Sequence, residues 1–339
     1  MTRAAVGAIA SDGRISEAAS ASLQRGGSAA DACIAAWFAA AGLFPGVLLG
    51  PVHLLVSGPG VGAHCYDGSL LQPGKEAPRP RGFLPGDAIP DAARIAVSCS
   101  VHAMAAAHAQ DGRTSLQELA SAGVRLAQAQ GAKSRAQLLR RIGDAGPLAT
   151  REPSFVRPLL DLAGRPQGGN LTAADFQSAA ARVSNLPLTS AVLSVEHAAA
   201  SDAPALEPVV ACACDVRGVL AVMHCAYDPN GPYLSALELS APRAASPVRR
   251  GVPRVSPGAP LGVPVPIAIA LEASVPWAGV ALEYPGAVSF DTLAGSSQAG
   301  LSIEQLLRAL IDQAHARAAI AVVRSSGAAG NVHAARVIA

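Results

Sequence analysis

The sequence predicts an α+β fold in which helices cover the faces of mostly antiparallel sheets. Helical periodicity dominates the first half of the 339 residues and strand-length apolar runs dominate the second. One amphipathic helix then precedes two last strands. Composition agrees: half of the residues are hydrophobic, yet only 4% are aromatic and 15% charged. Small apolar side chains therefore supply the core, and disorder is excluded. A net charge of +2 is too small to argue for nucleic acid or an anionic membrane surface as partner.

The first element to justify is "LQRGGSAADACIAAWFAAAG" (23–42). Gly26-Gly27 ends a helix in "RISEAASASLQR", and Ser28 caps the next, with Asp31 in its first turn where the helix dipole favours an anion. From Ala32 to Gly50 no residue is charged, a length that would just cross a bilayer. Pro45, the glycines at 42, 46 and 50 and the scarcity of large apolar side chains favour instead a buried helix followed by a buried strand. "VHLLVSG" (52–58) and "VGAHCYD" (61–67) read as strands around a Gly-Pro-Gly turn. Residues 72–91 are an irregular Pro/Gly-rich excursion, and "RIAVSCS" (94–100) reads as a strand leading into a helix near "VHAMAAAHAQ". Helices are expected over 115–131, near 133–142 and 153–163, and over 172–182, the last opened by Thr172 with Asp175 three residues on.

In the second half "LTSAVLSVEH", "LEPVVACACDV" and "GVLAVMHCAY" read as strands, with "VRG" a tight turn between the last two. Residues 228–266 form a long Pro-, Arg- and Ser-rich loop or covering arm. Strands follow at 263–273 and 278–284, then a helix in "SIEQLLRALIDQAHA" capped by Ser302, then strands in "AAIAVVRS" and "NVHAARVI". The expected organisation is one domain over 1–339, with a helix-rich half (1–185) and a strand-rich half (186–339) carrying the arm.

Six cysteines lie in apolar segments without the spacing of a disulfide framework. In a strand, Cys212 and Cys214 point to one face, and buried structural thiols are the plain reading. The opening "MTRAAVGAIASDGRIS" lacks the long apolar centre and cleavage site of a secretory signal, so a cytoplasmic protein is expected. No carboxylate–histidine spacing suggests a metal site. "GPGVGAHC" lacks the helix that would follow a dinucleotide fingerprint. No metal and no cofactor are expected.

Several motifs, in order, resemble the γ-glutamyltranspeptidase family. "IASDGRISEAASASLQRGGSAADACIAAWFAAAGLFP" is similar to its N-terminal signature through Gly26, Gly27, Ala29, Asp31 and Ala32, with Pro45 in place. "KEAPRP" (75–80) resembles its acidic-Ala-Pro motif, and "DGRTSLQELASAGVRLAQAQG" its following helix. "GGNLTAADFQ" (168–177) resembles a Gly-Gly-x-Leu-Thr-x-x-Asp segment, and "CDVRGVLAVMH" a Val-Asp hairpin through Asp215 and Gly218. The resemblance covers most of residues 5–240. It implies the four-layer αββα sandwich of N-terminal-nucleophile hydrolases and a substrate site near Lys75, Glu76 and Asp215.

It also implies a nucleophile, and this sequence does not supply one. The family places a threonine whose hydroxyl cleaves its own preceding peptide bond and then, with the freed amine as base, attacks a γ-glutamyl carbonyl. Counting back from Asp215 puts Pro208 there, which has neither hydroxyl nor primary amine to release. The family's carboxylate-gripping arginine matches Gly74, with Lys75 beside it as a point charge and not a fork. The Pro-Gly pair expected at a strand–helix junction is Ser98-Cys99, and only "SPGAPLG" (256–262) remains as an oxyanion element. Cys212, Cys214 and Cys225 lie in the right hairpin with His224, but neighbours in a strand point oppositely, so His224 is a poor base for Cys225. A partner from His53, His64 or His102 stays open. The expectation is a scaffold without transpeptidase chemistry that binds a small amino-acid-like ligand or a partner protein. An enzyme with a repurposed cleft, in amide hydrolysis or acyl transfer, is the first alternative, and a structural subunit of an active homologue, as homo- or hetero-oligomer, the second.

Overall fold

A computed structural model describes residues 6–78, 82–195, 206–284, 286, 288–294, 302–324 and 331–339. Two antiparallel sheets stack face to face. The first has strands β1 (Gly7–Ala10), β2 (Val52–Gly58), β3 (Gly62–Gly68), β5 (Arg182–Asn185), β7 (Glu207–Cys214) and β8 (Leu220–Tyr227), in the order β1-β7-β8-β2-β3-β5. The second holds β6 (Val192–Ser194), β12 (Ile267–Glu272), β13 (Val275–Leu282), β14 (Ala318–Arg324) and β15 (Val332–Ile338), in the order β15-β14-β13-β12-β6. Two short ladders, β4 (Leu70–Leu71) with β11 (Pro260–Leu261) and β9 (Tyr233–Leu234) with β10 (Leu239–Ser240), fix the arm.

The alternation of β7 explains the layering. Val210, Cys212 and Cys214 face the second sheet and meet Ile267, Ile269, Ile320 and Val322 there. Val209, Ala211 and Ala213 face the helices. Both faces are buried, so the strand reads as a continuous apolar run. Helices α1 (Gly13–Gln24), α2 (Ala29–Leu43), α3 (Ser100–Asp111), α4 (Leu116–Ala129) and α5 (Lys133–Ala145) pack on the first sheet's outer side, followed by α6 (Pro153–Ala163) and the short α7 (Ala173–Gln177). Helix α8 (Ile303–Ala314), capped by Ser302 as expected, covers the second sheet with Leu306, Leu307, Leu310 and Ile311. The result is the expected αββα sandwich.

Every residue of α2 is buried, which accounts for its uninterrupted small-residue run. The Ser28 hydroxyl accepts from the Asp31 amide at 3.0 Å, and the Asp31 carboxylate accepts from the Ser28 amide at 2.9 Å. Asp31 also accepts from the amides of Arg113 and Thr114, so one buried carboxylate joins the start of α2 to the α3–α4 loop. At the other end α2 crosses α4 glycine to glycine. A Cβ on Gly42 would collide with the Gly123 carbonyl, and one on Gly123 with the Phe38 carbonyl. Among the described residues no helix is long and apolar enough to cross a membrane.

Three expectations change. Residues 94–100 are not a strand. Asp91–Arg94 is a 3₁₀ turn, and only Val97 bridges, to Leu71. The arm takes the neighbouring backbone groups, through Ala245 N–H to the Arg94 carbonyl at 2.7 Å and Ala96 N–H to the Pro242 carbonyl. The helix expected over 172–182 stops at Gln177, where the Ser178 hydroxyl turns back to the Ala174 carbonyl. Residues 182–185 instead form edge strand β5, whose side chains are all exposed, so no apolar alternation announced it. Of the strand expected in 188–197 only Val192–Ser194 forms, and residues 196–205 lie outside the described residues.

Candidate functional site

Pro208 sits one residue into β7, opposite Ala226 of β8. Neighbouring strands take alternate backbone groups. Val210 exchanges with Ser11, accepting from its amide and donating to its hydroxyl, while Ala226 donates to Pro51 on the far side. Pro208 therefore directs its backbone to the β1 side, as Val210 does, beyond the point where β1 ends and Asp12 caps α1. No ladder hydrogen bond is lost to the imino acid there. Around it, Glu207 pairs with Arg317 at 2.8 Å, Tyr227 stacks on Phe44 with centroids 5.2 Å apart, and Asp228 holds Arg243 through two contacts of 2.8 and 3.1 Å.

Next to Pro208, between the two sheets, a polar row crosses four strands. The pairing registers place Arg182, Asp67, His53 and His224 side by side on β5, β3, β2 and β8, on the face that also carries Leu55, Cys65 and Val222. Arg182 pairs with Asp67. Asp67 Oδ1 lies 3.1 Å from His53 Nε2, and the Ser69 hydroxyl lies 3.2 Å from the same nitrogen. His224 is buried, and its Nδ1 has no hydrogen-bond partner. Burial, and then the neighbouring His53, push its pKa down to about 3, so His224 is neutral at physiological pH. The sequence named both histidines separately; only the register pairs them.

The motifs around Lys75 and Thr172, distant in sequence, meet in the structure. The Asp175 carboxylate, itself buried, accepts from the amides of Gly74 at 3.0 Å, Lys75 at 2.9 Å and Thr172 at 2.9 Å. The Thr172 hydroxyl donates to the Lys75 carbonyl at 2.7 Å. Asp175 is thus the residue that sets the loop, a role read from the sequence only as a helix cap. Gly74 has φ +110 and Glu76 φ +57, so the chain makes a sharp left-handed turn that leaves Glu76 exposed and Lys75 half-buried. A cleft of about 670 Å³ is lined by Ala77, Pro78, Phe83, Arg165, Asn170 and Thr172 among others. The "SPGAPLG" segment packs over Lys75 through Gly258 and pairs with Gln72 and β4.

The remaining candidates are not brought together. Asp215 lies at the opposite end of β7, where its carboxylate accepts from the amides of Arg217 and Val219 and closes the hairpin. Cys212 and Cys214 face the second sheet, while Cys225 faces the helices, away from His53 and His224. All six cysteines are free and buried. Burial pushes the Cys225 and Cys212 thiols far up, the Cys65 and Cys214 thiols to about 12 and Cys99 to about 11. Such thiols are poor nucleophiles. His64 is held by Asp111 at 3.3 Å beside Tyr66, and burial lowers His102 to about 4. The Ser98 and Ser100 hydroxyls, at the junction where the sequence placed Ser98-Cys99, cap the Leu48 carbonyl. Among the described residues no cluster of three or more His, Cys, Asp or Glu side chains suited to a metal ion occurs.

Solved structures share this architecture. Two structures of LmbA superpose with TM-scores of 0.74 and 0.72 at 13% identity, covering 99% of this chain and 97% of theirs. The cephalosporin acylase from Bacillus halodurans gives a TM-score of 0.68 at 12% identity, covering 99% of this chain and 96% of its own. The γ-glutamyltranspeptidase from Helicobacter pylori matches over 54% of this chain and 66% of its own, at 16% identity and a TM-score of 0.42. No protein-family model matches the sequence, and no curated protein does. The chain has the fold of the N-terminal-nucleophile hydrolases.

Proposed function

We propose that this protein is a non-catalytic member of that fold, a scaffold that binds a small amino-acid-like ligand in the cleft beside Lys75. One observation carries the reading: Pro208 occupies the start of β7, where self-releasing chemistry needs a residue with a hydroxyl and a primary amine. The buried, strongly raised thiols offer no substitute nucleophile. The Asp175-locked loop fixes the backbone at Gly74 and Lys75 beside a cleft that Arg165 lines with a cation, an arrangement suited to holding an anionic group without reacting with it.

The test is direct. Purified protein should run as one intact chain by mass spectrometry, leave γ-glutamyl and acyl chromogenic amides unhydrolysed, and resist thiol alkylation while folded. Two fragments divided just before β7, or turnover of either amide, would overturn the reading. A second reading, an enzyme with a repurposed cleft, is favoured by one feature: the carboxylate-oriented His53 beside His224 is an arrangement suited to general base chemistry. Turnover that survives thiol alkylation and disappears in His53→Gln would select it.

A further inference from the structure

The arm borders a second cavity, of about 200 Å³, which shares Val248 with the cleft described above. Its frame is fixed at several points. Gln72 exchanges two hydrogen bonds with the Ser246 backbone, at 2.8 and 2.9 Å. Phe83 exchanges two more, donating to the Val248 carbonyl and accepting from the Arg250 amide, both at 2.8 Å. The Gly258 amide donates to the Gln72 carbonyl at 2.7 Å. The loop is therefore tied down before and after the residues that wall the cavity.

Those walls combine cations with apolar surface. Arg94 and Arg254 line the cavity together with Pro247, Val248, Val252 and Val255. Among the described residues neither guanidinium has an acceptor within hydrogen-bond reach, and no carboxylate pairs with either. Arg254 Nε is buried without any partner. Arg243, on the same arm, is different, since Asp228 and Asp91 satisfy it. Arg254 Nη2 lies 2.9 Å from where a Cβ on Gly74 would be, so a side chain there would displace the guanidinium. The neighbouring Lys75 packs against Gly258 and likewise has no acid partner among the described residues. Buried donors without acceptors and clustered like charges are both unfavourable. A bound anion relieves both at once.

We propose that this cavity is a binding site for a small organic carboxylate, gripped by Arg94 and Arg254 with its apolar body against Val248, Val252 and Val255. A guanidinium fork matches a carboxylate through two parallel hydrogen bonds. The apolar walls select an acid with a hydrocarbon body over a bare inorganic anion. The volume, below the roughly 300 Å³ at which drug-sized pockets begin, limits that body to a small one. This inference is independent of whether the chain turns over a substrate, because it uses none of the residues of the polar row.

The test is a calorimetric titration of the full chain with hexanoate, its neutral isostere hexanamide, and inorganic phosphate. Hexanoate should bind at least about tenfold more tightly than the amide, in line with charge-assisted hydrogen bonds, and more tightly than phosphate. Arg254→Gln and Arg94→Gln should each weaken hexanoate about tenfold or more, with Arg254→Lys intermediate because it keeps the charge and loses the fork. The melting temperature of each ligand-free variant, measured alongside, separates a lost site from a lost fold. Equal binding of acid and amide, tighter binding of phosphate, or folded Arg254→Gln protein that binds hexanoate like wild type would each overturn the proposal.

Discussion

Replacing Asp175 by alanine should destabilise the chain by a predictable amount. The substitution leaves the amides of Gly74, Lys75 and Thr172 without the acceptor they share. A buried donor left unsatisfied costs about 1–3 kcal/mol. Lys75 and Thr172 are half-buried, so their amides recover part of that loss from water. The total is then about 4 kcal/mol. At ~2.1 cal/mol/K per residue, the unfolding entropy of a 339-residue chain is ~0.7 kcal/mol/K, which converts that loss to a fall in Tm of about 6 °C. Asp175→Asn should lose about half as much, because the amide keeps one acceptor oxygen but turns N–H groups toward donors. Differential scanning calorimetry reads both values. An alanine variant within 1 °C of wild type, or an asparagine variant indistinguishable from it, would refute the assignment of Asp175 as the anchor of the Lys75 loop.

Acid should destabilise the fold through its buried histidines. His224 and His102 titrate at about 3 and about 4 when folded, below the ordinary 6.5, so the unfolded chain binds more protons between those values. Stability is then fully present above about pH 6.5 and is lost as pH falls toward 4, each histidine adding up to ~1.4 kcal/mol per pH unit. Urea unfolding at pH 7, 6 and 5 should give a shallower slope for His224→Phe than for wild type, whatever the variant's stability at pH 7; an unchanged slope would contradict the burial argument. At the helix crossing, Gly42→Ala should lose up to about 2 kcal/mol. Overpacking against the Gly123 backbone costs about 1–3 kcal/mol, against a helix-propensity gain of about 1. Gly13→Ala, with open space around it, serves as the control and should be neutral or stabilising by thermal melt.

The layers were readable in the sequence wherever one physical rule decided the outcome. The capping box at Ser28, the all-buried α2, the hairpin closed by Asp215 and the amphipathic α8 each follow from local pattern. What stayed hidden depends on pairing across the chain. The exposed strand β5 carries no periodic signal and exists because β3 accepts it. Residues 94–100 look like a strand, but the arm claims their backbone groups. The site divides the same way. The proline at position 208 is legible as an identity, whereas the Asp67–His53–His224 row needs the register of three strands. Arg254 lies 180 residues from Gly74, and nothing in the local sequence of either announces their contact.

The backbone of Pro208 points past the last rung of β1. A residue with an N–H would meet no neighbouring strand there, and a ring-bearing one deprives no strand of a partner. The ladder is accordingly indifferent to whether the residue at this position carries an N–H. An imino acid and an ordinary residue can therefore replace one another here without breaking a rung of the sheet.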